Sequence, residues 1–306
     1  MSAAVLVLSA GQLRAGGAAL AAMTFPHYRP LLADADAADL LALAVLRDGL
    51  PCALLLARRG AATLLSLFVA AGQRRRGLAR RLLAALEQQL ARGGVDAVAT
   101  AWMDNMPAAA AFAALLRDAA WAEPQPRMVL YRADLARLAQ ADWLLGLAEP
   151  PAGHAIVPWS ALDAGQLATL RQAVRFEAWV PPDLVPFDFA GAGLDGAAAE
   201  PRLALAYTVW GEVVGWNLAH RLDADTVRAS CTFVRPELQQ QLLMLSLWRA
   251  AFGAAAAAGY RTVSWAVARQ RPAMLAFNDR FMAPYLAQRS ESWACGKRLA
   301  PPDQGI

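Results

Sequence analysis

The residues with the clearest chemical potential form a glycine-punctuated, cationic turn between two apolar runs. The segment reads Val69-Ala70-Ala71-Gly72-Gln73-Arg74-Arg75-Arg76-Gly77-Leu78-Ala79-Arg80. If a strand enters a helix here, the first N–H groups of the helix have no partner within it and lie at its positive end. Phosphate binds at such places, and arginine adds charge-assisted hydrogen bonds. The turn is therefore either a phosphate site or a solvated basic helix start.

Such a site needs a strand before the turn and a helix after it, and the sequence predicts both. An apolar run over 62–70 predicts the strand, and apolar residues at helical spacing predict a helix over Leu78–Arg92 that Gly93 and Gly94 end. Before them we expect a strand over 5–8, a helix over 11–23 and a hairpin around Asp48-Gly49. After them we expect a strand over 97–101, a helix over 108–116, a strand over 128–133, a connecting helix over 135–147 and a linker over 149–153.

The second half of the chain repeats this order at an offset of 165 residues. Phe68 and Val69 align with Phe233 and Val234, and Gly94 aligns with Gly259 in the same register. A repeated strand–helix–strand–helix order indicates two copies of one α/β domain in tandem. We place the copies at 1–134 and 153–306, joined by a connecting helix and linker over 135–152.

The first turn and its context resemble the acetyl-CoA signature of the GNAT N-acetyltransferases, R/Q-x-x-G-x-G/A. Arg74, Gly77 and Ala79 supply the three motif positions. Downstream, Asn105 with Ala108 resembles the second CoA motif of that family, and Met128–Arg132 resembles its closing strand. The resemblance implies two tandem α/β (α+β) domains, each a mixed, mostly antiparallel sheet flanked by helices.

The resemblance also implies a role for each matching residue. The backbone of Phe68 and Val69 would face the pantetheine arm of acetyl-CoA, Asn105 would meet the pantetheine, and Phe112 would lie along the cofactor. One run of residues would bind the pyrophosphate and the 3′-phosphate: Arg74, Arg75, Arg76, Gly77, Leu78, Ala79 and Arg80. The family often has a tyrosine as general acid where Phe112 stands, and phenylalanine has no proton to give. The alternative interpretation of Phe112, which describes it better, is an ordinary core aromatic.

The second copy departs from the motif. Gln239 fits its first position, but Leu242 and Met244 replace the two small residues, and the arginine cluster is absent. Bulky side chains would occupy the space that the pyrophosphate needs. We expect that this copy has lost cofactor binding and serves as a scaffold, a dimerisation surface or a wall of the acceptor site.

The sequence does not single out a general acid or base, and the catalytic residues stay unknown at this point. Asp104 follows a predicted strand and is either a base or a helix N-cap. Tyr131 is either a proton donor or a packing residue. His27 and Tyr28 follow the first helix, where the family places acceptor loops.

Composition narrows the class of protein. The chain has 306 residues, 58% of them hydrophobic, and a net charge of +4 without a long basic tract, so we expect a globular protein that binds no nucleic acid. Its apolar runs are too short or interrupted for a membrane span, so no membrane partner is expected. Cys52, Cys231 and Cys295 are scattered and odd in number, which favours the reducing cytoplasm and no metal site.

These inferences predict a direct transfer of an acetyl group from acetyl-CoA to the amine of a small molecule, by a monomer or homodimer that needs no metal. Two alternatives stay open. One is a transferase or decarboxylase that uses another acyl-CoA, and the other is a non-catalytic CoA-binding or interaction protein.

Overall fold

A computed structural model describes residues 4–33, 39–177, 179–191 and 197–300. The described residues form two compact units. The first contains the chain up to Arg127 together with the segment from Glu291 onward, and the second contains Met128–Ser290. The predicted copies, 1–134 and 153–306, remain our proposal for the repeat, but the compact units cross that division. Among the described residues, no helix is both long and apolar enough to cross a membrane.

The first unit is a six-stranded sheet in the order β1-β2-β3-β4-β5-β13 with helices on both faces. Its elements are β1 Val5–Val7, α1 Ala10–Ala21, α2 Arg29–Ala33, β2 Leu40–Arg47, β3 Leu50–Arg58, β4 Thr63–Val69, α3 Leu78–Arg92, β5 Ala97–Met103, α4 Ala109–Asp118 and β13 Leu286–Arg298. Strands β4 and β5 are parallel, and the other neighbouring pairs are antiparallel.

Continuous apolar sequence in β2 and β3 follows from burial on both faces. Leu43 and Leu55 pack in the cluster of α3, whereas Ala44 and Leu54 pack in the cluster of α1. Helix α3 is amphipathic and buries one stripe of leucines: Leu78, Leu82, Leu83, Leu86 and Leu90. It ends at Gly93 and Gly94 as the sequence predicts, and Gly94 takes a positive φ of 78°.

The second unit has the same layers, with strand order β6-β12-β11-β10-β9-β7 and β8 paired to β10. Its elements are β6 Gln125–Asp134, α5 Leu135–Ala139, α6 Asp142–Leu145, β7 His154–Pro158, α7 Ala164–Phe176, β8 Ala198–Ala199, β9 Leu205–Val209, β10 Glu212–Arg221, β11 Thr226–Val234, α8 Leu243–Ala257, β12 Thr262–Ala268 and α9 Pro272–Phe277. A π-helical turn, Asn278–Met282, follows α9. Strands β11 and β12 are the parallel pair of this unit.

The internal repeat extends to irregular backbone features. Each copy has a bulge next to its parallel strand pair, at Leu65 in the β3–β4 ladder and at Ser230 in the β10–β11 ladder. These two residues are 165 positions apart, the same offset as in the sequence alignment. Bulges re-aim a strand and increase its twist, so both copies bend where the parallel strands begin to separate.

Two expectations about the elements need correction, and two strands were missed. Met128–Arg132, assigned to the first copy as its closing strand, pairs instead with β12 of the second unit, and the strand beside β5 is β13 from the end of the chain. Both edges accept an antiparallel strand, and local sequence does not encode which edge a strand joins. The expected helix over 135–147 is two short helices, α5 and α6. Strands β7 and β13 were not predicted at all.

Candidate functional site

The cationic turn joins β4 to α3 and has an unusual backbone. Arg75 and Gly77 both lie in the left-handed region, with φ of 60° and 74°. Left-handed residues in a turn direct successive N–H groups toward one concave side, an anion-binding arrangement called a nest. Within the described part of the chain, the N–H groups of Arg75, Arg76 and Gly77 have no hydrogen-bond partner. The turn therefore offers unpaired donors at the positive end of the 15-residue helix α3.

Space is open above this turn. A Cβ atom built on Gly77 would meet no atom within 4 Å, and the same is true of Gly72. Arg74, Arg75, Arg76 and Arg80 are exposed around it. Arg80 lies 3.5 Å from Asp118, whereas Arg75 and Arg76 pair with none of the carboxylates that the structure describes. The site thus combines unpaired N–H groups, positive charge and room for an anion.

Arg74 has a structural role as well. Its Nε donates to the carbonyl oxygen of Val69 at 3.1 Å, so the first motif residue caps the last residue of β4. The bond fixes the path of the turn and shows that the carbonyl of Val69 points away from β3. Leu78 is buried at the start of α3, and Ala79 is half-buried beside it.

A gap opens between β4 and β5 next to the turn. The two parallel strands pair only at Thr63 with Ala99 and at Leu64 with Thr100, although each has seven residues. Beyond these pairs the strands separate toward their carboxyl ends, Val69 and Met103. Beyond Leu64 the described backbone of β4 has no ladder partner in β5, and it is a hydrogen-bonding edge for an extended ligand.

The register of the β3–β4 ladder identifies which groups face the gap. Ala70 N–H donates to the carbonyl oxygen of Cys52 on β3 at 3.0 Å. In an antiparallel pair, the backbone groups of successive residues point alternately toward the partner strand and away from it. The backbone of Phe68 therefore faces β3, and the groups of Leu67 and Val69 face the gap. Of the two residues expected to present their backbone here, Val69 does so and Phe68 does not. Sequence reasoning missed Leu67, which alternation from Val69 would have identified.

The residues after β5 lie at the open end of this gap. Asn105 is exposed, and its side chain makes no hydrogen bond with any residue that the structure describes. Asp104 does not cap a helix, because α4 begins at Ala109 after a cap residue, Ala108, that has no side-chain bond. Phe112 packs edge-on against Trp102 with ring centroids 5.3 Å apart, in agreement with its interpretation as a core aromatic.

Of the remaining catalytic candidates, Tyr131 belongs to the second unit. Tyr131 is fully buried in the core of the second unit, where it stacks on Trp265 at 5.5 Å between ring centroids. Its hydroxyl has no hydrogen-bond partner among the described residues, and burial raises its pKa, helped by the negative charge of Asp279. These contacts are those of a packing residue. The sequence of β6 does not indicate that this strand pairs with β12 of the second unit.

His27 and Tyr28 lie in the loop after α1. Their rings are 3.9 Å apart between centroids, and the ring of Phe25 stacks on His27 at 5.8 Å. Thr24 holds this loop on β4 through a 2.9 Å hydrogen bond between its hydroxyl and that of Ser66. Burial raises the pKa of Tyr28. The loop thus borders β4 at the level where the gap begins.

No functional chemistry is evident at the cysteines. Cys52, Cys231 and Cys295 are buried free thiols, and burial raises the pKa of Cys231 to about 12 and that of Cys295 to about 11. In the ranges that the structure describes, no group of three or more His, Cys, Asp or Glu side chains could hold a metal ion.

Comparison with protein families gives a match within the first copy. Residues 21–116 match the model of the acetyltransferase (GNAT) family, a range that contains the turn, the gap and Phe112. No curated protein sequence matches the chain.

Several solved structures share the fold over nearly the whole chain. A tandem GNAT protein from the clavulanic acid biosynthesis pathway, solved without acetyl-CoA, is 18% identical with a TM-score of 0.62, covering 99% of this chain and 100% of its own. A GCN5-related N-acetyltransferase from Sphaerobacter thermophilus has the same identity and TM-score, covering 99% of this chain and 96% of its own. A GCN5-related glucosamine N-acetyltransferase region of a fungal multi-domain enzyme is 13% identical with a TM-score of 0.65, covering 97% of this chain and 38% of its own.

Proposed function

Because residues 21–116 belong to the GNAT acetyltransferase family and the chain has the fold of tandem GNAT proteins, we propose that it transfers an acetyl group from acetyl-CoA to the amine of a small molecule. The cofactor binds to the first unit, and the transfer is direct. The observation that carries this proposal is the nest at Arg75 and Gly77 beside the gap between β4 and β5. One strand therefore ends in both a phosphate cradle and an edge for an extended arm.

The two features match the chemistry of CoA. The pyrophosphate binds the N–H groups from Arg75 to Ala79, and the exposed arginines, Arg80 among them, meet the pyrophosphate and the 3′-phosphate. The pantetheine amides bind the edge of β4 that faces the gap, at the backbone of Leu67 and the N–H of Val69, next to Asn105. Phe112 contributes an apolar wall and no proton, so the leaving thiolate takes its proton from elsewhere.

The second copy does not bind the cofactor in this proposal. Leu242 and Met244 stand where the first turn has Gly77 and Ala79, and the positions of Arg75 and Arg76 hold Gln240 and Gln241. The sheet of the first unit is completed by β13, which pairs with β5. A small acceptor is favoured over a protein side chain, and the likeness to a glucosamine N-acetyltransferase region places amino sugars among the acceptors to try.

The test is a titration of the purified full chain with acetyl-CoA by calorimetry, followed by a thiol-release assay. We expect one site per chain and acetyl-CoA-dependent release of CoA thiol with at least one amine from a panel of ethanolamine, spermidine, glucosamine and free lysine. Two sites would contradict the assignment of the second turn. Binding of CoA without thiol release from any amine would favour the interaction protein. Release from propionyl- or malonyl-CoA alone would favour another acyl group.

A further inference from the structure

A serine and a histidine of the second unit form a hydrogen-bonded pair that the acetyl transfer proposed above does not use. Ser230 Oγ lies 2.7 Å from His220 Nδ1, and His220 Nε2 lies 3.0 Å from the carbonyl oxygen of Gly191. Because a carbonyl has no proton to give, Nε2 carries the hydrogen of the neutral imidazole and Nδ1 is an acceptor. Ser230 therefore donates its hydroxyl proton to His220. In this arrangement a base activates a nucleophile and a third group orients the base.

A cation lies beside the same hydroxyl. The Nε of Arg228 donates to Ser230 Oγ at 3.1 Å. The carbonyl oxygen of Arg228 is a competing acceptor for the hydroxyl proton at 3.4 Å, but the bond to His220 is much shorter and is the stronger of the two. A guanidinium stays charged, so it stabilises the negative charge that develops on Oγ as the proton leaves.

The β-bulge in the β10–β11 ladder brings the two side chains together. Ser230 is the extra residue of this bulge, between Ala229 and Cys231. Ala229 packs in the cluster of α8, whereas Cys231 packs in the cluster of α7, on the face of the sheet to which alternation along β10 directs His220. Regular pairing would point Ser230 to the face opposite its neighbour Cys231. The bulge re-aims Ser230, so that its hydroxyl meets the imidazole.

The first copy has the same bulge but different side chains. In its β3–β4 ladder the extra residue is Leu65. Arg58 and His220 are each the second residue past the bulge on their strand, so Arg58 corresponds to His220. Arg58 pairs with Asp39 at 3.2 Å, and Leu65 has no hydroxyl. The serine–histidine pair is therefore specific to the second copy and is not a requirement of the shared fold.

The pair lies where β11 and β12 begin to separate. The described pairing of these parallel strands ends at Arg228 and Ser264, two positions before Ser230. His220 is fully buried, whereas Ser230 is only half-buried. The base is therefore shielded from water, and the nucleophile keeps exposed surface at which a small acyl group can approach.

We propose that Ser230 is a nucleophile with His220 as its general base, and that it takes an acyl group from a small activated ester. His220 Nδ1 accepts the hydroxyl proton while Ser230 Oγ attacks the carbonyl carbon of the ester. A new C–O bond forms to Oγ, the bond to the leaving oxygen breaks, and its electron pair leaves on that oxygen. His220 then gives its proton to the leaving group, which yields an acylserine and a free alcohol. This activity goes beyond the acetyl transfer proposed for the first unit and does not depend on it.

The test is acetylation of the purified full chain by p-nitrophenyl acetate at neutral pH. We expect an acetyl group on Ser230, found by mass spectrometry of its peptide. His220→Gln keeps an N–H donor for Gly191 but removes the base, so the rate of acetylation at this position should fall about 100-fold or more. Ser230→Ala should not be acetylated there, whereas Ser230→Cys restores a nucleophile beside the base and should be. Ser264→Ala, which changes a half-buried serine on the neighbouring strand, is the matched control and should keep the full rate.

Two results would overturn the inference. If Ser230 of the unmodified chain is not acetylated, it is not a nucleophile, and the pair only fastens β10 to β11. If His220→Gln is acetylated as fast as the unmodified chain, His220 is not the base. Neither result bears on the acetyl transfer of the first unit, which is tested separately by titration with acetyl-CoA and by thiol release.

Discussion

The two strand-to-helix turns of this protein share a capping hydrogen bond and a left-handed entry into the helix, but differ in the backbone and the charge between these two features. In the first, Arg74 donates to the carbonyl of Val69 at 3.1 Å; in the second, Gln239 donates to the carbonyl of Val234 at 2.9 Å. Each helix is entered through a left-handed residue, Gly77 at φ 74° and Leu242 at φ 60°. The capping bond and the helix entry are therefore properties of the fold and do not by themselves mark a working site.

The difference lies in one further residue and in the charge. Arg75 has φ of 60° in the first turn, whereas its counterpart Gln240 lies in a 3₁₀ helix over Pro236–Gln241. Only the first turn thus has two left-handed residues that direct N–H groups to one side. The comparison teaches that the nest and its arginines, more than the motif glycine alone, distinguish the two copies.

The largest expected effect comes from filling the first turn. Gly77→Trp should abolish acetyl-CoA binding in calorimetry, because the side chain would occupy the open space above the nest. The variant should still fold, since a Cβ at this position meets no protein atom within 4 Å and the left-handed backbone costs only about 1–2 kcal/mol. Leu242→Trp is the matched control in the second turn and should bind acetyl-CoA as the unmodified chain does. Loss of binding in Leu242→Trp instead would show that the second copy takes part.

A second contrast concerns the polar networks that fasten each unit. In the second unit, the buried carboxylate of Glu200 accepts bonds from Arg202, at 2.8 and 3.1 Å, and from Tyr260. These partners, Arg202 first, lower the pKa of Glu200 to about 2. The lowered pKa stabilises the fold above the ordinary glutamate pKa of about 4.5, and this stabilisation is lost as the pH falls toward 2.

Glu200→Gln should therefore lower the free energy of unfolding at pH 6 by up to about 3 kcal/mol. At pH 3 the difference between variant and unmodified protein should shrink by about 2 kcal/mol, because the unmodified protein has by then lost most of the linked stabilisation. Urea unfolding at the two pH values, followed by tryptophan fluorescence, measures both numbers. If the difference in the free energy of unfolding between the two proteins is the same at both pH values, the ionised carboxylate of Glu200 is not the source of the stabilisation.

The first unit is fastened by the single lysine of the chain. Lys297 on β13 donates to Glu87 and to the carbonyl of Ala119, both at 2.7 Å, and Glu87 also accepts the indole N–H of Trp121 at 2.9 Å. Lys297→Met should destabilise the first unit by about 2 kcal/mol, because it leaves a mostly buried carboxylate without its cation. Urea unfolding of this variant, of Glu87→Gln and of the double variant gives the coupling. Additive losses would show that the pair contributes no stability of its own.

Much of the fold was predictable from local pattern. The helix over Leu78–Arg92 has the bounds expected from apolar periodicity and from the two glycines that end it. Strand β13 was missed because its sequence, LAQRSESWACGKR, is polar and lacks strict alternation. This segment forms a strand because it pairs with β5, and the local sequence does not indicate that pairing.

The candidate site was predictable to a different depth for each of its parts. Spacing was sufficient to locate the turn from Arg74 to Arg80, because glycine and charge are local signals. The contribution of Leu67 needed the register of β4, and the hydrogen bonds between Asp104 and the main chain of Glu291 needed β13, which the sequence did not predict. Tyr131 shows the opposite error, since a residue close to the site in sequence lies in the core of the other unit.

The smallest expected effect comes from changing the left-handed residue of the second turn to glycine, which tests backbone strain separately from acetyl-CoA binding. Leu242 is 52% exposed in a left-handed conformation, so its side chain gains little from packing while its backbone is strained. Leu242→Gly should raise the free energy of unfolding by about 0.5–1 kcal/mol, the relief of strain less the added entropy of the unfolded chain. Gly77→Ala in the first turn should lower it by a similar amount, and urea unfolding resolves both. The glycine should not give the second turn any affinity for acetyl-CoA, because Gln240 stays in its 3₁₀ helix and no arginines are added. A second site in calorimetry of Leu242→Gly would mean that the glycine alone makes the cradle.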